Sequence, residues 1–229
     1  MPREARRDGI YFIGDHKLPS VTTILGGSIP KPYLVPWAAK MVAKAAKAHP
    51  DWSPEKLAAA PNEIRDAGGV RGKAVHDLVE AWAKAVTDGR QLPDEPLLGQ
   101  EYRGYEKAFR RFVRVYNPAP LYAECVVYNV TYQYAGRLDL IATVGDITTL
   151  IDFKTSKYVN AEYGLQLAAY NNAEYIELPG GEQHPMVKSE MMAVVLLSDD
   201  GTPEFKEVNE PFATFLAAYE LWKWLRTKH

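Results

Sequence analysis

Gly136-Arg137-Leu138-Asp139-Leu140-Ile141 is followed, after Val144-Gly145-Asp146-Ile147, by Leu150-Ile151-Asp152-Phe153-Lys154-Thr155, and this stretch decides the fold. Both flanks are apolar and strand-forming, and each is interrupted by an acid. Gly145 and Asp146 suit a two-residue hairpin turn in which glycine takes a positive φ. That turn pairs Val144 with Ile147. Counting outward, Asp139 falls opposite Asp152, and opposed residues share a face with Cβ atoms roughly 4.5–5.5 Å apart. Lys154, two residues beyond Asp152, joins that face. Two carboxylates and an ammonium on an apolar sheet are costly to bury unpaired. A divalent cation between the carboxylates relieves the repulsion, and oxygen ligands point to Mg²⁺ or Mn²⁺. This outlines a metal-dependent phosphoester hydrolysis site. Because the two carboxylates repel, Ala at either position is expected to leave the metal-free fold intact.

Outward from the hairpin, 121–130, 136–144 and 148–155 read as three strands of a meander. A helix over 161–175, a buried strand at 190–197, a short strand at 205–208 and a closing helix over 211–228 follow. Before residue 117 the pattern is mainly helical. A short strand at 10–13 turns at Gly14-Asp15 into Pro19-Ser20-Val21-Thr22-Thr23-Ile24-Leu25, which Gly26-Gly27 breaks. Helices are expected at 35–48, in a short piece from Pro54 with Ser53 as N-cap, at 70–86 after a break at Gly68-Gly69, and at 98–116, ending at Asn117-Pro118. The fold class is α/β (α+β), a mixed central sheet flanked by helices, as one domain over 1–229. Residues 1–117 form its mainly helical part and 118–229 the catalytic sheet core.

Composition excludes several classes. The 229 residues are 47% hydrophobic and 24% charged, ordinary for a globular chain. No apolar run approaches the ~20 residues of a membrane span, and the N-terminus lacks the apolar stretch of a secretory signal. The single cysteine, Cys125, excludes an internal disulfide framework, a cysteine zinc site and a cysteine-ligated iron–sulfur cluster. The expected location is the cytoplasm, with no membrane partner. The net charge of −2 means that any nucleic-acid affinity comes from local clusters of basic residues.

Further residues gather around the hairpin. Tyr163, Gln166 and Tyr170 share one helix face, either as a polar stripe at a core edge or as a grip on phosphate or base. His76 lies well off the apolar face of Val75, Leu78, Val79 and Trp82. It is a surface histidine or a nitrogen ligand favouring Mn²⁺, with Glu80 one turn on. Arg103, Lys107, Arg110, Arg111 and Arg114 fall opposite an aromatic face. They form a solvated stripe or a phosphate-tracking one.

Together these residues resemble the PD-(D/E)xK nuclease superfamily, in particular its RecB-type exonuclease branch of stand-alone phage and CRISPR-associated exonucleases. Gly72 to His76, Gly136 to Asp139, Asp152 to Lys154 and Gln166 to Tyr170 stand in that family's order over about 100 residues. Pro19 to Leu25 is similar to the start of phage-type members, and Glu124 matches an upstream acid. The four cysteines of some branches are missing. The resemblance implies a restriction-endonuclease-like αβββαβ core with an N-terminal helical extension. It implies a deoxyribonuclease of phage or bacterial recombination, repair or replication. Asp139 and Asp152 would ligate Mg²⁺ or Mn²⁺ with the Phe153 carbonyl and His76, and Lys154 would stabilise charge in the transition state. Gln166 and Tyr170 would position the strand, and Gly136 would admit DNA close to the backbone. Glu80 and Glu124 would be supporting acids. Arg110 and Arg114 would contact DNA presented as linear ends or single strands, with a strand-annealing or recombination protein as partner. The alternatives are an endonuclease on the same site and a non-catalytic DNA-binding module.

Overall fold

The computed structural model describes residues 5–7 and 9–227. Strands β1 (Ala5–Arg7), β2 (Ile10–Ile13) and β3 (His16–Pro19) lead into helices α1 (Val21–Ser28), α2 (Leu34–Ala48), α3 (Pro54–Thr87) and α4 (Arg103–Tyr116). Then come β4 (Ala119–Ala123), β5 (Val126–Asn129), β6 (Tyr134–Arg137), β7 (Leu140–Val144), β8 (Ile147–Lys154) and α5 (Ala161–Asn171). The chain closes with β9 (Tyr175–Glu177), β10 (Gln183–Pro185), β11 (Met191–Leu197), β12 (Pro203–Val208) and α6 (Phe212–Thr227).

The central sheet has the order β12-β11-β8-β7-β4 and is mixed, because β11 runs parallel to β8 while its other pairs are antiparallel. Alternation along its strands feeds two cores. Ile141, Leu150, Val194 and Leu196 meet α1, α5 and α6 on one face. Leu140, Ile151, Phe153 and Val195 meet α3 and α4 on the other, where Phe109 and Phe112 pack edge-on to Phe153. The α/β class with a mixed sheet flanked by helices is as expected. The hairpin register also holds, with Val144 opposite Ile147 and Gly145 at φ 61°. Among the described residues no helix is long and apolar enough to cross a membrane.

Three details of local structure correct the sequence reading. The three-strand meander is five strands shared between two sheets. The expected strand 121–130 breaks at Glu124, whose φ of 51° is left-handed, and 136–144 breaks opposite it at Leu138-Asp139. Glu124 N–H donates to the Asp139 carbonyl (3.0 Å), and Leu138 N–H to that of Cys125 (3.0 Å). The paired strands therefore stay in register through a bend. They leave the central sheet and enter a second one, ordered β10-β9-β5-β6. Sheets turn corners in this way, with irregular residues where strands change layer.

Gly68-Gly69 does not end a helix, because α3 runs unbroken for 34 residues and also contains Pro61. Two helical glycines cost roughly 1 kcal/mol each relative to Ala. Packing of α2 on the first half of α3 and of the core on its second half carries the helix across them. Gly26-Gly27 likewise lies inside α1, which Ser20 caps by accepting from Thr23 N–H at 3.0 Å. A Cβ on Gly27 would lie 2.8 Å from Trp222 Cδ1, so this glycine lets α1 lie close against α6. The expected helix end at Asn117 is found, in the left-handed conformation (φ 44°) that terminates helices.

Candidate active site

The bend between the two sheets is where the acids meet. β7 begins just after Asp139, and one step out from the Leu140–Ile151 pair Asp139 faces Asp152. Both are buried, at 5% and 1% exposure. Asp139 Oδ2 accepts the Phe153 N–H at 2.7 Å. This overturns the expectation that Ala is harmless at 139, since removing the carboxylate orphans a buried N–H. From the other side of the sheet end, α3 brings His76. Its Nδ1 lies 3.1 Å from Glu124 Oε1 and 3.2 Å from Asp139 Oδ1. His76 therefore points into the site rather than to solvent. Its ligand nitrogen and carboxylate oxygens of Glu124 and Asp139 lie within 4.8 Å of one another. Arg71, one turn earlier, donates from Nε to Thr155 Oγ1 at 3.1 Å and pins α3 to the end of β8.

Asp152 belongs to a second, adjoining group. Lys154 Nζ lies 2.7 Å from its Oδ1 and 2.6 Å from its Oδ2. Only the first contact has hydrogen-bond geometry, so Oδ2 is buried with an ionic neighbour but no hydrogen bond. Gln166 Nε2 donates to Asp152 Oδ1 (3.1 Å) and to the Tyr170 hydroxyl (3.2 Å). The Lys154 ammonium also sits 5.0 Å over the Tyr163 ring. The face shared by Tyr163, Gln166 and Tyr170 thus carries a relay onto Asp152.

Electrostatics follow this division. Burial alone would lower His76, but the Asp139 and Glu124 carboxylates outweigh it and raise its pKa to about 10. Burial works against Asp139 ionising, yet the charges of His76 and Lys154 hold it below the usual carboxylate range. Burial pushes Asp152 up to about 6 against the pull of Lys154, with Asp139 adding repulsion. Burial also raises Glu124, against its hydrogen bond from His76. Lys154 is raised by Asp152 and Asp139 in spite of its own burial.

A cleft of about 530 Å³ is lined by His76, Glu80, Glu124, Gly136, Asp139, Lys154, Gln166 and Tyr170, while Asp152 is buried outside that lining. Glu80 is exposed on its rim, outside the His76–Glu124–Asp139 group. Gly136 has a packing reason that the sequence reading did not give. A Cβ there would lie 2.2 Å from Tyr170 Cε1, so the close approach it allows is that of the Tyr170 ring. Arg110 and Arg114 do not line the cleft. The Arg110 fork is held by buried Glu106 (2.9 and 2.8 Å), which also accepts from the N–H groups of Leu97 and Leu98. Arg114 is exposed on α4. The cleft adds Ser20, Thr22, Lys73 and Arg137, which the sequence reading passed over. Ser20 and Thr22 arrive because Ser20 bridges to Ala135 beside Gly136. Their signal was present in the capping pattern Ser20-x-x-Thr23 at the head of α1.

No family model matches the chain, and no curated protein matches it. Among solved structures, one described as "Crystal structure of SSO0001" is similar at 20% sequence identity and a TM-score of 0.32. The match covers 53% of this chain and 56% of that one, so the chain spans little more than half of its length. A likeness of this strength bears on neither fold nor function.

The donor set suits a hard or borderline divalent cation. It offers one imidazole, two converging carboxylates and, beside them, a buried carboxylate oxygen without a hydrogen bond.

Proposed function

We propose that this protein is a Mg²⁺- or Mn²⁺-dependent deoxyribonuclease of the PD-(D/E)xK kind, acting as an exonuclease on linear DNA. The observation that carries this is the meeting of His76, Glu124, Asp139 and Lys154 on one open cleft, with the buried Asp152 paired to Lys154. Residues from α3, the sheet bend and β8 converge there. Burying Asp139 and Asp152 together is destabilising, and perturbed carboxylates beside a half-buried lysine in a cleft mark functional sites.

His76, Glu124, Asp139 and Asp152 would hold the cation. Bound there, it would lower the pKa of a water and polarise a phosphoryl oxygen. Lys154 holds its ammonium at the cleft wall, where it can stabilise charge growing on the phosphate oxygens. Asp152 keeps Lys154 oriented, and Gln166 and Tyr170 hold Asp152. The Phe153 N–H fixes the Asp139 carboxylate, leaving Oδ1 facing His76.

The test uses end-labelled linear and covalently closed circular DNA with Mg²⁺ or Mn²⁺. Release of short products from linear DNA alone, abolished by EDTA and by Asp152→Asn, supports the proposal. Cleavage of circles assigns an endonuclease on the same site. Hydrolysis that persists in EDTA rejects the metal-dependent reading, and absent hydrolysis rejects a nuclease.

A further inference from the structure

Helix α3 is 34 residues long, or about 51 Å at 1.5 Å per residue. Its second half carries Val75, Leu78, Val79 and Trp82 into the core and lines the cleft with Lys73, His76, Asp77 and Glu80. Its first half, from Pro54 to Arg71, reaches roughly 25 Å beyond the cleft and buries only Ala60 and Pro61. Helix α2 packs against α3 and has no buried residue. The two form a helical hairpin standing away from the body. Its α3 root lies at the cleft, where Lys73 and His76 line it, and the chain reaches α2 from α1, whose head supplies Ser20 and Thr22. Lys31, just before α2, is fastened to Glu162 of α5 at 3.0 Å.

The charge on α2 is one-sided. Residues 16–50 hold five lysines and no acid, in a chain whose net charge is −2. Lys40, Lys44 and Lys47 follow one another at helical spacing on the exposed side of α2. No ion pair among the described residues engages them, unlike Arg110 on α4. The first half of α3 is mixed in sign, with Glu55, Glu63 and Asp66 beside Lys56 and Arg65. A helix with no fully buried residue contributes little to the core, so its uniform basic face calls for another explanation. A polyanion is the complement of such a face.

We propose that the α2–α3 hairpin is an arm that holds a DNA strand leading to the cleft, with Lys40, Lys44 and Lys47 contacting its phosphates. This rests on the nuclease reading above. The lysines lie on α2, which packs against the helix α3 that carries His76, so a strand bound along the arm is directed toward the site.

The experiment compares wild type with a variant combining Lys40→Gln, Lys44→Gln and Lys47→Gln. Gln is as good a helix former as Lys, and the sites are exposed, so the variant keeps its fold. Anisotropy of a labelled single-stranded 30-mer in Ca²⁺ is read across a salt series. Losing three phosphate contacts should flatten the slope of log K against log salt by about 2. Hydrolysis of a p-nitrophenyl ester of thymidine monophosphate in Mn²⁺, too small to reach the arm, should be unchanged. A wild type that cleaves DNA and a variant with an unaltered slope would overturn the arm and leave the nuclease standing. A wild type that neither binds nor cleaves DNA would overturn both. A dimer that the substitutions convert to a monomer, seen by light scattering, would make this face a contact between copies and overturn the proposal.

Discussion

Replacing Gly136 with Ala tests whether the relay from Tyr170 to Asp152 is a packed unit. The added Cβ would sit 2.2 Å from Tyr170 Cε1 and 2.9 Å from Cζ. Carbon atoms rest at about 3.5–4.0 Å, so the ring would have to retreat by well over 1 Å. It has little room, being 3% exposed, and its hydroxyl is held at 3.2 Å by Gln166. Two effects oppose each other. Ala in a strand gains about 0.5–1 kcal/mol over Gly through backbone entropy. Overpacking of this kind costs about 1–3 kcal/mol. The clash should win and lower Tm by a few degrees, at roughly 2–4 °C per kcal/mol for a chain of this size. Moving the ring also pulls Gln166 from Asp152, so turnover and Mn²⁺ affinity should fall about ten-fold, as for supporting metal-site residues. Urea denaturation of the four members of the Gly136→Ala, Tyr170→Ala cycle measures the coupling. Once the ring is gone the methyl should be tolerated, giving a favourable interaction energy of about 1–3 kcal/mol. A Gly136→Ala protein as stable as wild type, with additive effects in the double variant, would refute this account.

Asp139→Ala should destabilise the metal-free protein by about 1–3 kcal/mol, because the Phe153 N–H loses its acceptor. Asp139→Asn should keep most of the stability while losing hydrolysis, and denaturation in EDTA separates the two. At Glu124 the usual order should reverse, with Glu124→Gly more stable than Glu124→Ala by about 1–2 kcal/mol in urea melts, because φ is 51°. His76 has a folded-state pKa of about 10, above its unfolded value. Its contribution is therefore complete below about pH 6.5 and lost as pH rises toward 10. In EDTA, wild type should lose more Tm than His76→Gln between pH 6 and 9, and parallel curves would count against the ion pairs. Lys154→Ala should slow hydrolysis by several orders of magnitude yet still bind Mn²⁺ by calorimetry, and joint loss of both would show it supports the cation.

The hairpin was legible because two local rules agreed. Alternation put Asp139 and Asp152 on one face, and Gly145 fixed the register between them. His76 was legible by exception, as a polar residue off the apolar stripe of α3. The bend was not, because a left-handed glutamate leaves no mark in composition. Glu124 adopts that conformation for tertiary reasons, and with it the meander becomes two sheets. Helix α3 hid behind Gly68-Gly69 because propensity is a weak term that packing on both sides overrides. Gly136 announced a close approach, but only the folded structure shows that Tyr170 makes it. The basic stripe on α4 looked free because the sequence does not reveal that Arg110 turns back to Glu106.

The placement of the bend also ties the site to the folding of distant parts of the chain. His76 and Asp139 are 63 positions apart, and their contact needs both α3 and the bent hairpin in place. Such non-local closures are slow, because chain entropy is lost before contacts reward it. The unfolded chain therefore offers the donors only singly. A cation that recognises the group selects the native state, and raising its concentration to 100 times its Kd should add about 2.7 kcal/mol to the unfolding free energy. Thermal stability against Mn²⁺ concentration then becomes a binding isotherm, readable without any turnover of DNA.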